Sequence, residues 1–264
     1  MHAVKMRNRE EIPQKSLLFL LSGLILLSAL SFVSASPAAA ISIPEKLVYD
    51  LTWTGIKAGT AIQEVNQVGN EIHIVSTARS ADWISTFFPV EDRIESVLTG
   101  AKPPGIGLPR SYRMKIREGS HRRDREILFD QARKTSQYRD HLNGEKVEID
   151  LPGSTFDTLS SFYFVRTLKL EVGKPVFLTI LDNKKVWRVE VQVLRKEKLK
   201  TRLGNFDTIV IKPLLKSEGI MDKRGDMYIW LTDDHRLLPV KMKTKVKVGS
   251  ITATLVGGVF QKQQ

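Results

Sequence analysis

The chain has 264 residues, with 41 Lys and Arg against 29 Asp and Glu for a formal net charge of +12, and it contains no cysteine. That absence excludes disulfides, thiol nucleophiles and the lipid-modified cysteine of a bacterial lipoprotein. Length alone allows one large all-β domain or two small ones, with a core that needs neither disulfide nor metal.

Residues 1–40 carry a basic leader (Lys5, Arg7, Arg9, Lys15), an apolar stretch from Leu17 to Val33 and a small-residue end at Ala38-Ala39-Ala40. This is the pattern of a secretory signal, with cleavage expected after Ala40 and with Ala35 as the second site. A retained anchor is the alternative, because roughly 17–20 apolar residues just span a bilayer. Pro37 and small residues follow the run where an anchor usually has basic flanks, which favours cleavage and no stable transmembrane segment afterwards. Cleavage leaves 224 of the 264 residues and, with four basic and two acidic residues gone, a net charge of about +10. Outside the cytoplasm a cysteine-free chain fits a bacterial periplasm better than a eukaryotic secreted setting. The polyanions within reach there are phospholipid or lipopolysaccharide head groups and acidic polysaccharides, not nucleic acid. Plain solubility is the simpler account of the charge.

Residues 41–264 read as one continuous β domain, with period-two alternation broken by turn residues every eight to fifteen positions. Strands are expected at Lys46 to Trp53, Thr60 to Val68 and Glu71 to Ala78, the last two joined by Gly69-Asn70. Ala81 to Phe88 breaks the alternation and sets Trp83, Ile84, Phe87 and Phe88 on one face of a short helix, a spacing that favours core packing. Val90 to Thr99 resumes as strand, and Lys102 to Pro109 is a proline-rich loop. Hairpins follow from Ser111 to Arg117 into Arg125 to Asp130, and from Thr135 to Leu142 into Lys146 to Ile149 across Asn143-Gly144. Thr155 to Leu170 reads as the one long helix, capped by Thr155 or Asp157. Strands then return at Pro175 to Leu181, Lys185 to Val193, Leu199 to Leu203, Phe206 to Pro213, Lys216 to Met221, Asp226 to Leu231, Pro239 to Val248 and Ser250 to Val256. The expected fold is mostly β: a strongly curved antiparallel sheet or open β-barrel or β-roll, with one long helix packed against it as a plug.

Four motifs in this order, EKLVYDLTWTGIKAGTA at Glu45, FPVEDRIESVL at Phe88, FDTLSSFYFVRTLKLEVG at Phe156 and YIWLTDDHRLLPVKMKTKVKVGSITATL at Tyr228, resemble the DUF3108 family of bacterial exported proteins. The resemblance implies a mostly antiparallel β protein of the cell envelope and brings no catalytic residues with it.

Little in the residues points to chemistry. His73, His121, His141 and His235 show no metal-ligand spacing, no serine lies in G-x-S-x-G, and Gly105-Ile106-Gly107 is flanked by prolines and opens no helix, so neither metal nor cofactor is expected. Asp233-Asp234-His235 is the most enzyme-like cluster, but it sits between Trp230-Leu231 and Leu237-Leu238 and a hairpin turn is the favoured account. Glu91, Asp92 and Glu95 offer a second carboxylate set of the kind glycoside hydrolysis needs, Glu91 and Glu95 on one strand face and Asp92 on the other, with a solvated edge as the favoured account. Two cationic stripes have better geometry: Arg113, Lys115 and Arg117 opposite Tyr112, Met114 and Ile116, and Lys241, Lys243, Lys245 and Lys247 opposite Val240, Met242, Val246 and Val248. With Trp83, Phe87 and Phe88 as an apolar lip, they make the candidate ligand-binding set, and a solubilised outer face is the competing account. Three functions stay open. The first is non-enzymatic binding of an envelope lipid or acidic glycan; the others are a polysaccharide hydrolase or lyase and a structural partner of an outer-membrane assembly.

Overall fold

The computed structural model describes residues 41–99, 105–215, 226–246 and 248–260. The signal-like segment, the expected strand Lys216 to Met221 and Lys247 lie outside the described residues. The first eight strands form an antiparallel meander: β1 (Glu45–Trp53), β2 (Ile56–Val68), β3 (Glu71–Ser80), β4 (Glu91–Thr99), β5 (Pro109–Glu118), β6 (His121–Asp130), β7 (Thr135–Asp140) and β8 (Lys146–Asp150). A one-turn helix α1 (Asp82–Ser85) lies between β3 and β4. The second run comprises β9 (Thr155–Phe156), α2 (Thr158–Val165), β10 (Val176–Asp182), β11 (Lys185–Thr201), β12 (Gly204–Leu215), β13 (Met227–Thr232), β14 (Pro239–Lys245) and β15 (Ser250–Val259).

All belong to a single 15-stranded sheet in which β1 pairs with both β2 and β15, leaving β8 and β9 as its edges. Laid flat, strands about 4.8 Å apart would separate those edges by roughly 67 Å. The chain from Asp150 to Thr155, however, covers at most about 18 Å fully extended. The sheet therefore curls until its edges stand near each other without hydrogen bonding, an open barrel. Side chains stitch the seam: Gln131 Nε2, between β6 and β7, donates to the carbonyls of Pro109 (3.2 Å) and Thr155 (2.8 Å), and Lys184, between β10 and β11, reaches Glu145 at 2.8 Å.

Helix α2 fills the hollow, touching β3 and β4 on one side and β9 and β10 on the other. Leu159 and Tyr163 join Val65, Ile74, Leu98 and Ile127 in one core cluster, while Val165 joins Leu178, Val189, Ile209 and Leu231 in another. Burial of a residue such as Leu159 contributes about 1.5–3 kcal/mol.

The helix is shorter than the sequence suggests: Thr158–Val165, not Thr155 to Leu170. At its start Thr155 and Phe156 are taken as strand by Thr179 and Ile180 of β10, and Asp157 then caps, accepting from the amides of Leu159 and Ser160, both at 2.8 Å. At its end the Thr167 and Leu168 amides turn back to Phe164 and Val165 with three-residue spacing, while the Arg166 side chain is drawn to Glu45. A second correction concerns Leu199 to Leu203. It is no separate strand, because β11 runs unbroken to Thr201 through a bulge between Val193 and Arg195 that reverses the alternation. A third concerns Val246 and Val248: β14 ends at Lys245, and both valines are exposed.

Candidate ligand cavity on the concave face

Strand register builds the site. Across the inner face Tyr112 (β5) stands opposite Ile127 (β6), which faces Tyr138 (β7); one pair further along, Met114 faces Arg125, which faces Asp140; and Ile116 faces Arg123. Thr158 of α2 and the β10–β11 turn at Asp182-Asn183 close the opposite wall, and Asn183 holds the turn at φ 58°. Together Tyr112, Met114, Arg123, Arg125, Ile127, Tyr138, Thr158, Asp182 and Asn183 enclose a cavity of about 430 Å³, within the range of small-molecule sites.

Its electrostatics are set by two arginines. Arg125 Nε donates to Asp140 Oδ2 at 3.2 Å. Burial alone would raise the Asp140 carboxyl, but the Leu142 amide and Arg125 outweigh it and hold the group below its usual range. Arg123 has no ion pair or hydrogen bond among the described residues. Tyr112 shares a 3.0 Å hydrogen bond with Thr158 Oγ1, and burial pushes its phenol, and that of Tyr138, above the usual value. The cavity therefore offers a guanidinium that makes no ion pair or hydrogen bond among the described residues, although the Asp92 carboxylate feels its charge and Asp182 lines the facing wall; with two neutral phenols and the apolar walls of Met114 and Ile127, Arg123 is placed to meet an anion attached to a less polar body.

Most of the residues singled out in the sequence lie elsewhere. Arg113, Lys115 and Arg117 project from the outer face of β5. Arg113 meets Asp124 at 2.6 Å and His141 at 2.7 Å, and Arg117 meets Glu91 at 3.7 Å. On β14, Lys241 sits over the Trp230 ring at 4.8 Å, and Lys243 and Lys245 are exposed. Five strands separate β5 from β14, so the two stripes occupy separate parts of the sheet. Trp83, Phe87 and Phe88 are exposed rather than packed in the core, because α1 lasts only Asp82–Ser85 and its connection lies over the end of the sheet.

The carboxylate clusters are engaged. Asp233 pairs with Lys196 at 2.7 Å, and Asp234 accepts from Thr232 Oγ1 at 2.8 Å and the Arg236 amide at 2.9 Å, bracing the β13–β14 turn. Glu91 lies between Arg79 (3.6 Å) and Arg117, and Glu95 pairs with Arg93. Asp92, on the other face, accepts the Arg117 amide at 3.0 Å, and burial raises its carboxyl. Among the described residues no group of three His, Asp or Glu side chains could hold a metal ion, and no helix is long and apolar enough to cross a membrane.

The two cavity arginines were missed by sequence reasoning although their signal is simple. Counting back by twos from the core residues Phe129 and Ile127 reaches Arg125 and Arg123. Starting that strand at Arg125 hid the second.

The fold is similar to that of the β-barrel-like DUF1849 protein of Brucella abortus. The match has a TM-score of 0.53 at 11% identity over 85% of this chain and 100% of that one. A family model settles the relationship: the chain belongs to DUF3108, described as a protein of unknown function, which matches residues 48–256. More distant likenesses are a hypothetical protein of Chlamydia trachomatis, with TM-score 0.39, 8% identity and coverage of 86% and 91%, and an inferred exported protein of YmcC-like fold from Bacteroides fragilis, with TM-score 0.34, 8% identity and coverage of 85% and 99%. Comparison with curated protein sequences returns no match.

Proposed function

We propose that this is an exported, non-enzymatic binding protein of the bacterial envelope, and that the concave cavity takes the anionic group of an envelope molecule, a lipid head group or an acidic sugar. The observation that carries the reading is Arg123, a cation on a cavity wall that makes no ion pair or hydrogen bond among the described residues and meets the Asp92 charge only at longer range, beside an Arg125 already held by Asp140. A guanidinium in such a place gains most from an incoming carboxylate or phosphate, which it can bind bidentately. A volume of about 430 Å³ suits a head group or a small saccharide.

The test is native mass spectrometry of residues 41–264 purified from a periplasm without detergent, followed by extraction of any adduct. A reproducible anionic adduct in the native protein that disappears in Arg123→Ala supports the reading. An adduct that persists in the variant, or no adduct together with no binding of phosphate- or carboxylate-bearing envelope extracts, overturns it.

A further inference from the structure

A second surface lies outside the cavity, where four turns meet at one end of the sheet. The β1–β2 turn abuts the β14–β15 turn: Trp53 Nε1 donates to the Val248 carbonyl at 2.8 Å and the Thr54 amide to Ser250 at 2.9 Å. Beside them Trp83 Nε1 donates to the Lys57 carbonyl at 2.9 Å. Phe88 then lies so close to Gly119 of the β5–β6 turn that a Cβ there would stand 2.7 Å from its ring. Along this connected line Ile56, Phe87 and Val248 are 63%, 83% and 69% exposed, and Trp53, Trp83 and Phe88 are 40%, 49% and 51% exposed. Both indole N–H groups are spent on backbone carbonyls, so what the tryptophans present outward is hydrocarbon.

Cations stand among these side chains. Lys57, Arg79 and Arg117 are exposed, although Asp50 and Glu91 partly balance them and the carboxylates of Asp82 and Glu118 are exposed on the same turns. Among the described residues Arg122 donates only to the carbonyls of Gly119 and His121, and Lys245 makes no close ion pair, the Asp226 carboxylate acting on it at longer range. Apolar points on separate turns, interleaved with exposed cations, do not form the flat or grooved patch that a protein partner fills. Aromatic residues at the head-group level with Lys and Arg beside them are what an anionic lipid surface accommodates.

We infer that this end of the sheet docks on an anionic membrane surface, with Ile56, Phe87 and Val248 entering the head-group boundary and Arg122 and Lys245 meeting lipid phosphates. The inference does not depend on the cavity, whose mouth residues are not among those named.

Co-sedimentation of residues 41–264 with vesicles of phosphatidylcholine alone, and of phosphatidylcholine mixed with phosphatidylglycerol, tests it. Binding is expected to the mixed vesicles and to weaken with salt. Phe87→Ser combined with Val248→Ser should lower partitioning by about tenfold or more with an unchanged melting temperature, and Arg122→Gln with Lys245→Gln should remove the preference for phosphatidylglycerol. The Ser and Gln variants leave every cavity-lining residue in place and should keep any adduct the native protein carries in mass spectrometry, so this reading and the cavity reading fail separately. Absence of sedimentation with mixed vesicles overturns the inference, as does equal sedimentation of the Ser variant. Self-association of the native protein that the Ser variant abolishes would do the same, because a second copy would then cover the surface.

Discussion

Arg166, at the end of α2, and Glu45, at the start of β1, face each other in a two-pronged ion pair, with both nitrogen to oxygen distances at 2.7 Å and side-chain exposures of 1% and 3%. The guanidinium also donates to the Leu237 carbonyl at 3.1 Å, so one side chain ties the plug, the central strand and the β13–β14 turn together. A buried pair contributes modestly while intact, since desolvation offsets attraction, but loss of one partner leaves an uncompensated charge. Arg166→Met or Glu45→Gln should each cost about 3–5 kcal/mol in urea unfolding. The double variant Glu45→Leu with Arg166→Met should recover most of that, and a double variant as unstable as either single one would rule this account out.

The two cavity arginines should respond in opposite ways to truncation. Arg125→Met strips Asp140 of its partner and should destabilise by about 1–3 kcal/mol, whereas Arg123→Met removes no ion pair and should leave melting unchanged or slightly higher. Any stabilisation of the native protein by a bound anion, which grows with ligand excess over Kd, should vanish in Arg123→Met. Thermal shifts with and without ligand measure both effects.

Half-buried Asp234 and buried Asp157 should give stability slopes of opposite sign. Burial would raise Asp234, but Arg236 and Thr232 outweigh it and lower the group; its contribution is complete above the unfolded value of about 3.9 and fades as pH falls through the lower folded value. Burial raises Asp157 despite the bonds from Ser96, Ser160 and Leu159; its charged form carries a penalty that grows as pH rises from about 3.9 through the raised folded value. Asp234→Asn should therefore cost more at about pH 7 than at about pH 3. Asp157→Asn should cost less at about pH 7 than at about pH 4. Urea midpoints at those pH values decide, and parallel slopes would contradict the assignment.

Gly59 is fixed by close approach: a Cβ there would press on the Arg79 carbonyl across the β2–β3 pair. Gly59→Ala should cost about 1–3 kcal/mol, whereas Gly257→Ala, with open space around it, should cost under about 1 kcal/mol. Equal losses would show that the strands can separate to admit the methyl.

The strands were legible wherever alternation is clean, as in KLVYDLTW and EIHIVSTA, because a half-buried strand needs alternating faces whatever its neighbours. Alternation fails at bulges, and LRKEK looked like a connection only because the β11 bulge exchanges its faces. The helix span was overread because Phe156 keeps helical spacing from Leu159 and Leu168 from Val165, although one pairs with β10 and the other follows a tight turn. The partnership of β1 with β15 joins residues about two hundred positions apart, which no local pattern records. The cationic stripes were seen because alternate lysines stand out, yet the cavity arginines, interrupted by Asp124 and followed by Glu126, did not.

With Lys46 paired to Val259 at the middle of the sheet, the chain's first and last strands are neighbours while its break in adjacency falls at residues 151–154. A circular permutant that links Phe260 to Glu45 and opens at Gly153 would run β9 to β15 and then β1 to β8, and every strand would follow its sheet neighbour in sequence. The native order makes closure of the central seam the most distant contact in the chain. The rearranged molecule keeps every pairing and loses that delay, so it should fold faster to the same structure.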